Sequence, residues 1–182
     1  MIELKGVLPA IRNMKDFDRV IDSKLENLMF LETRISQLGH LVKYSKENGK
    51  TVFVHMDLIQ GLKSDEYGME YLIRNLKVDG IVSTRGSVIG FAKKNNVLTI
   101  QRLFALDSMG INHNIALTKK HRPDYIEVLP GIMPTILSEV RERTKLPIIA
   151  GGLIRSKQDV ENAFEAGASA VTTSRSKLWD LN

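Results

Sequence analysis

Short apolar runs rich in β-branched residues recur along the chain at a nearly constant interval. The segments between them carry apolar residues at helical spacing, as at Ile35, Leu38 and Leu41 before the helix-ending pair Asn48-Gly49. This alternation predicts parallel strands joined by right-handed helical crossovers. The eight predicted strands are residues 6–11, 28–33, 51–57, 80–84, 97–103, 125–130, 146–152 and 169–174.

Eight β/α units are the number that closes a TIM-type (β/α)8 barrel, and this α/β fold class is the one we predict. The 182 residues give about 23 per unit, against about 250 residues for a typical barrel, so helices and loops must be short. An open doubly wound sheet is the alternative, and it requires a glycine-rich turn after the first strand. Gly6 stands at the start of that strand rather than after it, and Pro9 follows Gly6 in place of a glycine-rich turn. Both observations favour the barrel. Length and uniform composition predict a single domain over residues 1–182.

Composition narrows the class of protein without identifying a function. No apolar run approaches the roughly 18 residues of a membrane helix, and the first residues lack the order of a signal peptide. The absence of cysteine excludes disulfides, thiolate metal sites and a cysteine nucleophile, so we expect a cytoplasmic protein without membrane association. The net charge of +5 favours an anionic partner, which ranges from a phosphorylated metabolite to a nucleic acid.

Functional residues of such a barrel lie where the strands end, and the last two strands end in residues suited to phosphate. The seventh strand ends in Gly151-Gly152 before a helix with Ser156 as its expected N-cap, and the eighth ends in Thr173-Ser174. Glycine exposes backbone N–H groups, and a helix N-terminus adds partial positive charge. These residues are therefore predicted to bind phosphate, although the same segments could only close a tight turn and cap a helix.

A second set of strand-end residues is ionisable and consists of Glu32, Asp57, Arg102 and Glu127. Carboxylates at a barrel mouth can accept hydrogen bonds from glycerol or sugar hydroxyls, hold a divalent cation, or act as acid and base. They could also form structural ion pairs, with Arg102 neutralising Asp57 or Glu127. His55 lies two residues before Asp57 and should share its face of the strand. No two histidines have metal-ligand spacing, so His55 is expected to be a hydrogen-bonded core residue and no metal site is predicted.

Arginine directly follows several strands, near helix N-termini, where a cation is electrostatically unfavourable without an anion. These candidates for contact with RNA or another anion are Arg85, Arg155 and Arg175. Other cations, around residues 93–94, 119–122 and 141–145, come at predicted helix C-termini, where the helix dipole favours them without a ligand. The alternative is that they form a belt at one end of the barrel that binds a polyanion such as RNA.

The last residues include an apolar cluster of Leu178, Trp179 and Leu181. We expect it to seal the barrel against the first helix. A dimer patch is the alternative, so a homo-oligomer stays open.

Six motifs resemble the glycerol-uptake operon antiterminator regulatory proteins. In chain order they are GVLPAI, HMDLIQG, DGIVSTRG, QRLFALDS, EVLPGIMP and LPIIAGGLI, the last followed by GASAVTTS, and the resemblance extends from Gly6 to Trp179. It implies a barrel that takes glycerol 3-phosphate as its ligand, with no other cofactor. It also implies that the liganded protein binds the leader mRNA of glycerol-utilisation genes, so that transcription reads past a terminator, and it implies no catalysis.

The residues alone leave an enzyme open. A small barrel enzyme acting on a triose phosphate or a glycerophosphodiester, with Glu32, Asp57 and Glu127 around a metal ion, is the alternative. The predicted loops are too short to cover a substrate and exclude water, which favours a sensor.

Overall fold

The computed structural model describes residues 2–181, and its main sheet is a closed barrel of eight parallel strands. Each strand pairs with the next along the chain, and β1 also pairs with β8, which closes the barrel. The predicted fold class and the eight predicted strands are confirmed. The strands are β1 (Gly6–Ile11), β2 (Asn27–Phe30), β3 (Thr51–His55), β4 (Gly80–Ser83), β5 (Leu98–Phe104), β6 (Tyr125–Leu129), β7 (Ile148–Gly151) and β8 (Ala170–Thr173).

Helices follow the strands in the expected alternation. They are α1 (Met14–Ile21), α2 (Ile35–Glu47), α3 (Glu66–Glu70), α4 (Gly86–Lys94), α5 (Ser108–His121), α6 (Pro134–Thr144) and α7 (Lys157–Glu165). After β8 a single 3-10 turn, Ser176–Leu178, takes the place of an eighth helix, and α3 continues into a π-helical turn, Tyr71–Asn75. Between residues 2 and 181 no helix is long and apolar enough to cross a membrane.

The barrel interior changes from apolar to polar along the strands. Successive strand residues point to opposite sides of the wall, and Phe53 of β3, Ile100 of β5 and Tyr125 of β6 belong to the inner apolar core. Two positions further along these strands lie His55, Arg102 and Glu127. The same alternation therefore points these three polar side chains into the barrel, above the core and towards the carboxyl ends of the strands.

Strands β2 and β3 end earlier than their apolar runs suggest. The predicted strands continue to residues 33 and 57, whereas β2 ends at Phe30 and β3 at His55. Residues 33–34 and 59–60 pair instead as a separate two-stranded parallel sheet. The apolar pattern does not indicate where the hydrogen bonds between strands stop. β3 pairs with β4 only as far as His55, so the strand ends there although the apolar run continues.

The C-terminal cluster seals the barrel beside the first helix, as expected. Trp179 is 1% exposed, and its indole N–H donates a hydrogen bond to the carbonyl oxygen of Thr173 over 2.9 Å. The guanidinium of Arg19 in α1 donates to Ser176 Oγ over 3.1 Å, which joins the 3-10 turn to that helix.

Candidate functional site

The carboxyl ends of the strands surround a cavity of about 290 Å³, called the mouth cavity below. Its walls come from β5 and β6 and from the chain at the ends of β1, β2, β7 and β8. Pockets for drug-sized ligands span roughly 300–1,000 Å³, so this volume suits a small metabolite. Of the predicted phosphate residues, Gly152, Thr173 and Ser174 line the cavity, while Gly151 lies buried at the end of β7.

A buried ion pair forms part of this cavity. Arg102 Nε lies 2.7 Å from Glu127 Oε2, and the side chains are 9% and 1% exposed. The hydroxyl of Thr172 donates to the other carboxylate oxygen, Glu127 Oε1, over 2.5 Å. Within residues 2–181 the terminal nitrogens of Arg102 have no protein partner, so they are available to an anion in the cavity.

Gly151 is required by this pair because its neighbours leave no room for a side chain. A Cβ atom at Gly151 would lie 2.6 Å from both Glu127 Oε1 and Thr172 Oγ1. The backbone N–H of Gly131, from the β6–α6 loop, donates to the carbonyl oxygens of Gly151 and Gly152 over 2.6 and 3.1 Å. The glycine pair therefore lets three neighbouring segments approach closely, in addition to shaping the cavity wall.

The start of α7 already holds a carboxylate. Ser156 is the N-cap, as predicted, and it forms a capping box with Asp159. Asp159 accepts hydrogen bonds from the backbone N–H groups of Arg155 and Ser156, and the bond from Arg155 contributes most to lowering its pKa. Since the helix dipole is partly neutralised by Asp159, unpaired positive charge at the cavity comes mainly from the side chains of Arg12, Arg155 and Arg175, which line it.

His55 lies inside the barrel near the ion pair and is 2% exposed. Burial and, after it, the nearby Arg102 guanidinium lower its pKa from 6.5 to about 4, so the imidazole is neutral at pH 7. Neither ring nitrogen has a hydrogen-bond partner within the described residues. The expected core location is correct, but the expected hydrogen bond is not formed.

Asp57 and Glu32 do not line the mouth cavity. Asp57 does not continue the face of His55, because β3 ends at His55 and Asp57 lies on the 3-10 turn Met56–Leu58. Its carboxylate accepts hydrogen bonds from Ser83 Oγ and from the backbone N–H of Thr84, over 2.9 and 2.8 Å.

Arg85 and Glu32 lie in other places on the same end of the barrel. Arg85 extends towards Asp57, with 3.7 Å between Nε and the nearer carboxylate oxygen. Glu32 is exposed on a separate groove of about 360 Å³ between the ends of β1 and β2. The structure thus brings Arg102 and Glu127 together at the cavity and separates Glu32, Asp57 and Arg85 from them. Across residues 2–181 no three histidines or carboxylates lie close enough together to hold a metal ion.

Three residues of the cavity were assigned no role from the sequence. Arg12 follows β1 directly, which is the signal that singled out the other arginines, and it lines the cavity. Thr172 donates to Glu127 from β8, and Leu153 lines the cavity with a φ angle of +59°. The contact of Thr172 with Glu127 depends on which strands are neighbours, so no local pattern indicates it.

A larger concavity lies at the opposite end of the barrel, where the strands begin. This basal groove has a volume of about 1020 Å³ and is lined chiefly by residues 96–98 and 122–125 and by Thr144, Leu146 and Pro147, together with Lys93 and Lys119. It lacks the buried ionic residues that converge in the mouth cavity. Those converging groups are typical of a small-molecule site, so the smaller cavity is the candidate.

Several known proteins are similar to this chain over nearly all of its length. The chain is 42% identical to the glycerol uptake operon antiterminator regulatory protein of Listeria monocytogenes, with all of both chains covered and a TM-score of 0.95. It is 29% identical to a glycerol uptake operon antiterminator-related protein of Thermotoga maritima, covering 97% of this chain and 99% of that one, with a TM-score of 0.86. The Escherichia coli protein YgcP is 34% identical over all of this chain and 95% of its own length.

Distant structures share only the fold, among them aldolases and orotidine 5'-phosphate decarboxylases at 11–18% identity. The sequence profile described as glycerol-3-phosphate responsive antiterminator matches residues 7–179. The chain belongs to the family of glycerol-3-phosphate responsive antiterminators.

Proposed function

We propose that this chain senses glycerol 3-phosphate in the mouth cavity and, when liganded, binds the leader mRNA of glycerol-utilisation genes to permit transcription past a terminator. The observation that carries the proposal is the mouth cavity itself, in which the terminal nitrogens of Arg102 and the side chains of Arg155 and Arg175 converge. Binding to an mRNA leader would take place in the cytoplasm. No cofactor other than the ligand is required.

The phosphate and glycerol parts of the ligand meet different sides of the cavity. The loops at Gly152 and Ser174, with Arg155 and Arg175 beside them, offer backbone N–H groups and positive charge to a phosphate. The hydroxyl groups meet the Arg102–Glu127 pair, where Glu127 retains lone pairs and Arg102 retains donors.

A regulatory role is favoured by the separation of the carboxylates that the enzyme alternative requires. A metal-dependent phosphodiesterase would need Glu32, Asp57 and Glu127 to surround one ion, and these residues lie on three different parts of the barrel end. His55 is neutral and buried, and neither of its ring nitrogens has a hydrogen-bond partner within residues 2–181. The family to which the chain belongs is also described as one of antiterminators that respond to glycerol 3-phosphate, which is a regulatory role.

Arg155 and Arg175 are the candidates for transmitting ligand binding to RNA, because both are exposed and both line the cavity. A ligand shifts an equilibrium only through contacts that differ between the two states. Typical coupling is about 1–3 kcal/mol, and it is reciprocal, so RNA should tighten glycerol 3-phosphate binding by the same factor.

The experiment measures thermal unfolding with glycerol 3-phosphate, glycerol and inorganic phosphate in parallel, followed by RNA titration with and without the ligand that stabilises. A ligand at 100 times its dissociation constant stabilises by about 2.7 kcal/mol. We expect glycerol 3-phosphate to stabilise most and to increase affinity for the leader RNA. Equal shifts with inorganic phosphate would contradict glycerol recognition, and RNA affinity that ignores the ligand would contradict the switch. Hydrolysis of a phosphodiester with added Mg²⁺, abolished by Asp57→Asn, would support the enzyme instead.

A further inference from the structure

Positive charge is concentrated around the basal groove, at the C-terminal ends of α4, α5 and α6. Eight of the 26 lysines and arginines lie in the last turns of these helices or at their C-caps. Six of them are exposed and have no acidic partner among residues 2–181, namely Lys94, Lys119, Lys120, Arg122, Arg141 and Lys145.

The two acidic residues of the groove do not balance this charge, because the fold itself uses them. Asp124 accepts hydrogen bonds from Lys93 Nζ, over 2.7 Å, and from the backbone N–H and hydroxyl of Thr99. Asp79 accepts from Lys46 Nζ over 2.9 Å and from the backbone N–H of Val52 over 2.8 Å. The remaining cations therefore face solvent as a surplus of positive charge on one end of the molecule.

Two of these cations occupy positions where the backbone favours glycine. Arg122 and Lys145 are the C-caps of α5 and α6, with φ angles of +46° and +59° in the left-handed region. A side chain there is disfavoured by about 1–2 kcal/mol, and glycine is the usual residue at such helix ends. The helix dipole offsets only part of this penalty, so the fold does not require a cation at either position.

We propose that the basal groove and its cationic rim form the surface that binds a single-stranded segment of the leader RNA. The proposal rests on the proposed function, which requires an RNA surface but does not locate it. Phosphates would lie along the cations of the three helix ends, and an unstacked base would lie over the apolar groove floor of Val97, Leu98, Pro123 and Pro147.

The distribution of these cations suits a chain of phosphates better than a single anion. They lie on three consecutive helix ends, and packed helices are about 8–10 Å apart, so no one phosphate can contact them all. The mouth end offers a different rim. Its loops after β5 and β7 and the first turn of α5 carry Leu106, Leu153 and Met109, which are 50–83% exposed, and Arg155 and Arg175 line the cavity beside the proposed ligand.

Two strands connect the groove to the mouth cavity. Leu98 and Tyr125, at the starts of β5 and β6, line the groove, while Arg102 and Glu127 on the same strands line the cavity. Arg102 lies four positions beyond Leu98 along β5, which corresponds to about 13 Å. Ligand and RNA can therefore bind at the same time on opposite ends of the same two strands.

The test compares RNA affinity of the wild type with that of Arg122→Gly/Lys145→Gly. The probes are the leader transcript of a glycerol-uptake operon from the same genome and a scrambled transcript of equal length, titrated at saturating glycerol 3-phosphate and two salt concentrations. Each phosphate contact to a single strand adds about 0.7 to the slope of log affinity against log salt. Loss of two contacts should lower that slope by about 1.4 and weaken binding about 25-fold at 0.1 M salt. Glycine suits both backbone positions, so the variant should fold.

A matched control separates charge at the groove from a loss of net charge alone. Lys15→Ala/Lys63→Ala removes two exposed cations outside the groove and should leave RNA affinity unchanged.

The outcomes distinguish this proposal from the proposed function. Undiminished RNA binding by Arg122→Gly/Lys145→Gly, with ligand-dependent binding by the wild type, overturns the groove assignment alone. An equal loss with Lys15→Ala/Lys63→Ala also overturns it, because it shows dependence on net charge only. Absence of RNA binding by the wild type overturns the proposed function and this assignment together.

Discussion

The two ends of the barrel differ in how their charged groups are held. At the mouth, the charged pair Arg102–Glu127 is buried and held by Thr172, and Asp159 accepts hydrogen bonds from backbone N–H groups at the start of α7, although Arg155 and Arg175 beside them are exposed. At the base, several exposed cations have no acidic partner among residues 2–181, and two of them occupy left-handed backbone positions. Buried charges need fixed partners, whereas exposed cations contribute little to stability and are available to bind a polyanion.

This difference separates residues that stabilise the fold from residues that are available for binding. Removing a mouth residue should affect stability and ligand affinity together, because the same atoms perform both tasks. Removing a basal cation should leave stability unchanged or improved. The expected effects of four substitutions or conditions, in decreasing size, test this distinction.

The largest effect is expected from Glu127→Ala, which leaves Arg102 buried without its partner. Breaking a buried pair by removing one member typically reduces stability by about 3–5 kcal/mol. Glu127→Gln keeps an acceptor and should lose less. Urea unfolding of both variants measures this, with Glu32→Ala as the exposed control, expected within about 0.5 kcal/mol of the wild type. A loss for Glu127→Ala as small as the control's would mean that the pair does not organise the mouth.

Ser174→Asp should weaken glycerol 3-phosphate binding by about 2–3 kcal/mol, or about 30- to 150-fold, because it places a carboxylate beside the proposed phosphate position. Ser36→Asp, an exposed serine in the first turn of α2, is the matched control and should bind normally. Calorimetric titration measures both. If the two variants bind equally well, the phosphate lies elsewhere.

Lowering the pH from 7 to 5 should reduce stability by about 2 kcal/mol through His55. Its pKa falls from 6.5 to about 4 in the folded protein, first by burial and then by Arg102, with Glu127 and Asp57 acting in the opposite direction. The unfolded chain therefore takes up the proton first, and stability is lost as pH falls from about 6.5 towards 4. Unfolding of His55→Leu should lack this loss, while His40→Gln, on the surface, should retain it. A pH dependence that persists in His55→Leu would assign it to other groups.

The smallest effect is a gain. Lys145→Gly should raise the free energy of unfolding by about 0.5–1 kcal/mol. The substitution removes the steric strain of a side chain at φ +59°, and this gain is larger than the extra cost in backbone entropy when glycine folds. Lys120→Gly, within the last turn of α5, should instead lose about 1 kcal/mol. Thermal unfolding of the pair measures both signs. A loss in both variants would show that Lys145 stabilises its helix end.

Alternation of apolar and polar residues was sufficient to predict the strands and, with them, the barrel. It left open whether strand-end side chains point into the barrel or towards the helices, and the structure shows that Arg102 and Glu127 point inward. Which of its candidate partners Arg102 meets was not predictable. Glu127 lies directly opposite it in the β5–β6 register, and that register depends on pairing across 25 residues.

The same limit explains why the predicted hydroxyl-binding set divides between different places. Glu32 and Asp57 come after β2 and β3, but those strands end before the residues are reached, so neither follows the strand alternation. The capping box of α7 was partly visible, since Ser156 was identified as the N-cap. Its consequence for phosphate was missed because Asp159 was not considered as a competing anion at the same helix start.

The left-handed cationic caps have a consequence for the history of the family. A position where glycine folds better is one where chance mutation towards glycine is not opposed by selection for stability. Arg122 and Lys145 should therefore persist only in lineages that still need them. Homologues that have lost a terminator-bearing leader should drift to glycine or asparagine at both positions while keeping the buried mouth residues. The residues at these two positions can be compared, genome by genome, with the presence of such a leader. A correlation would show from natural variation that the two cations are kept for RNA binding.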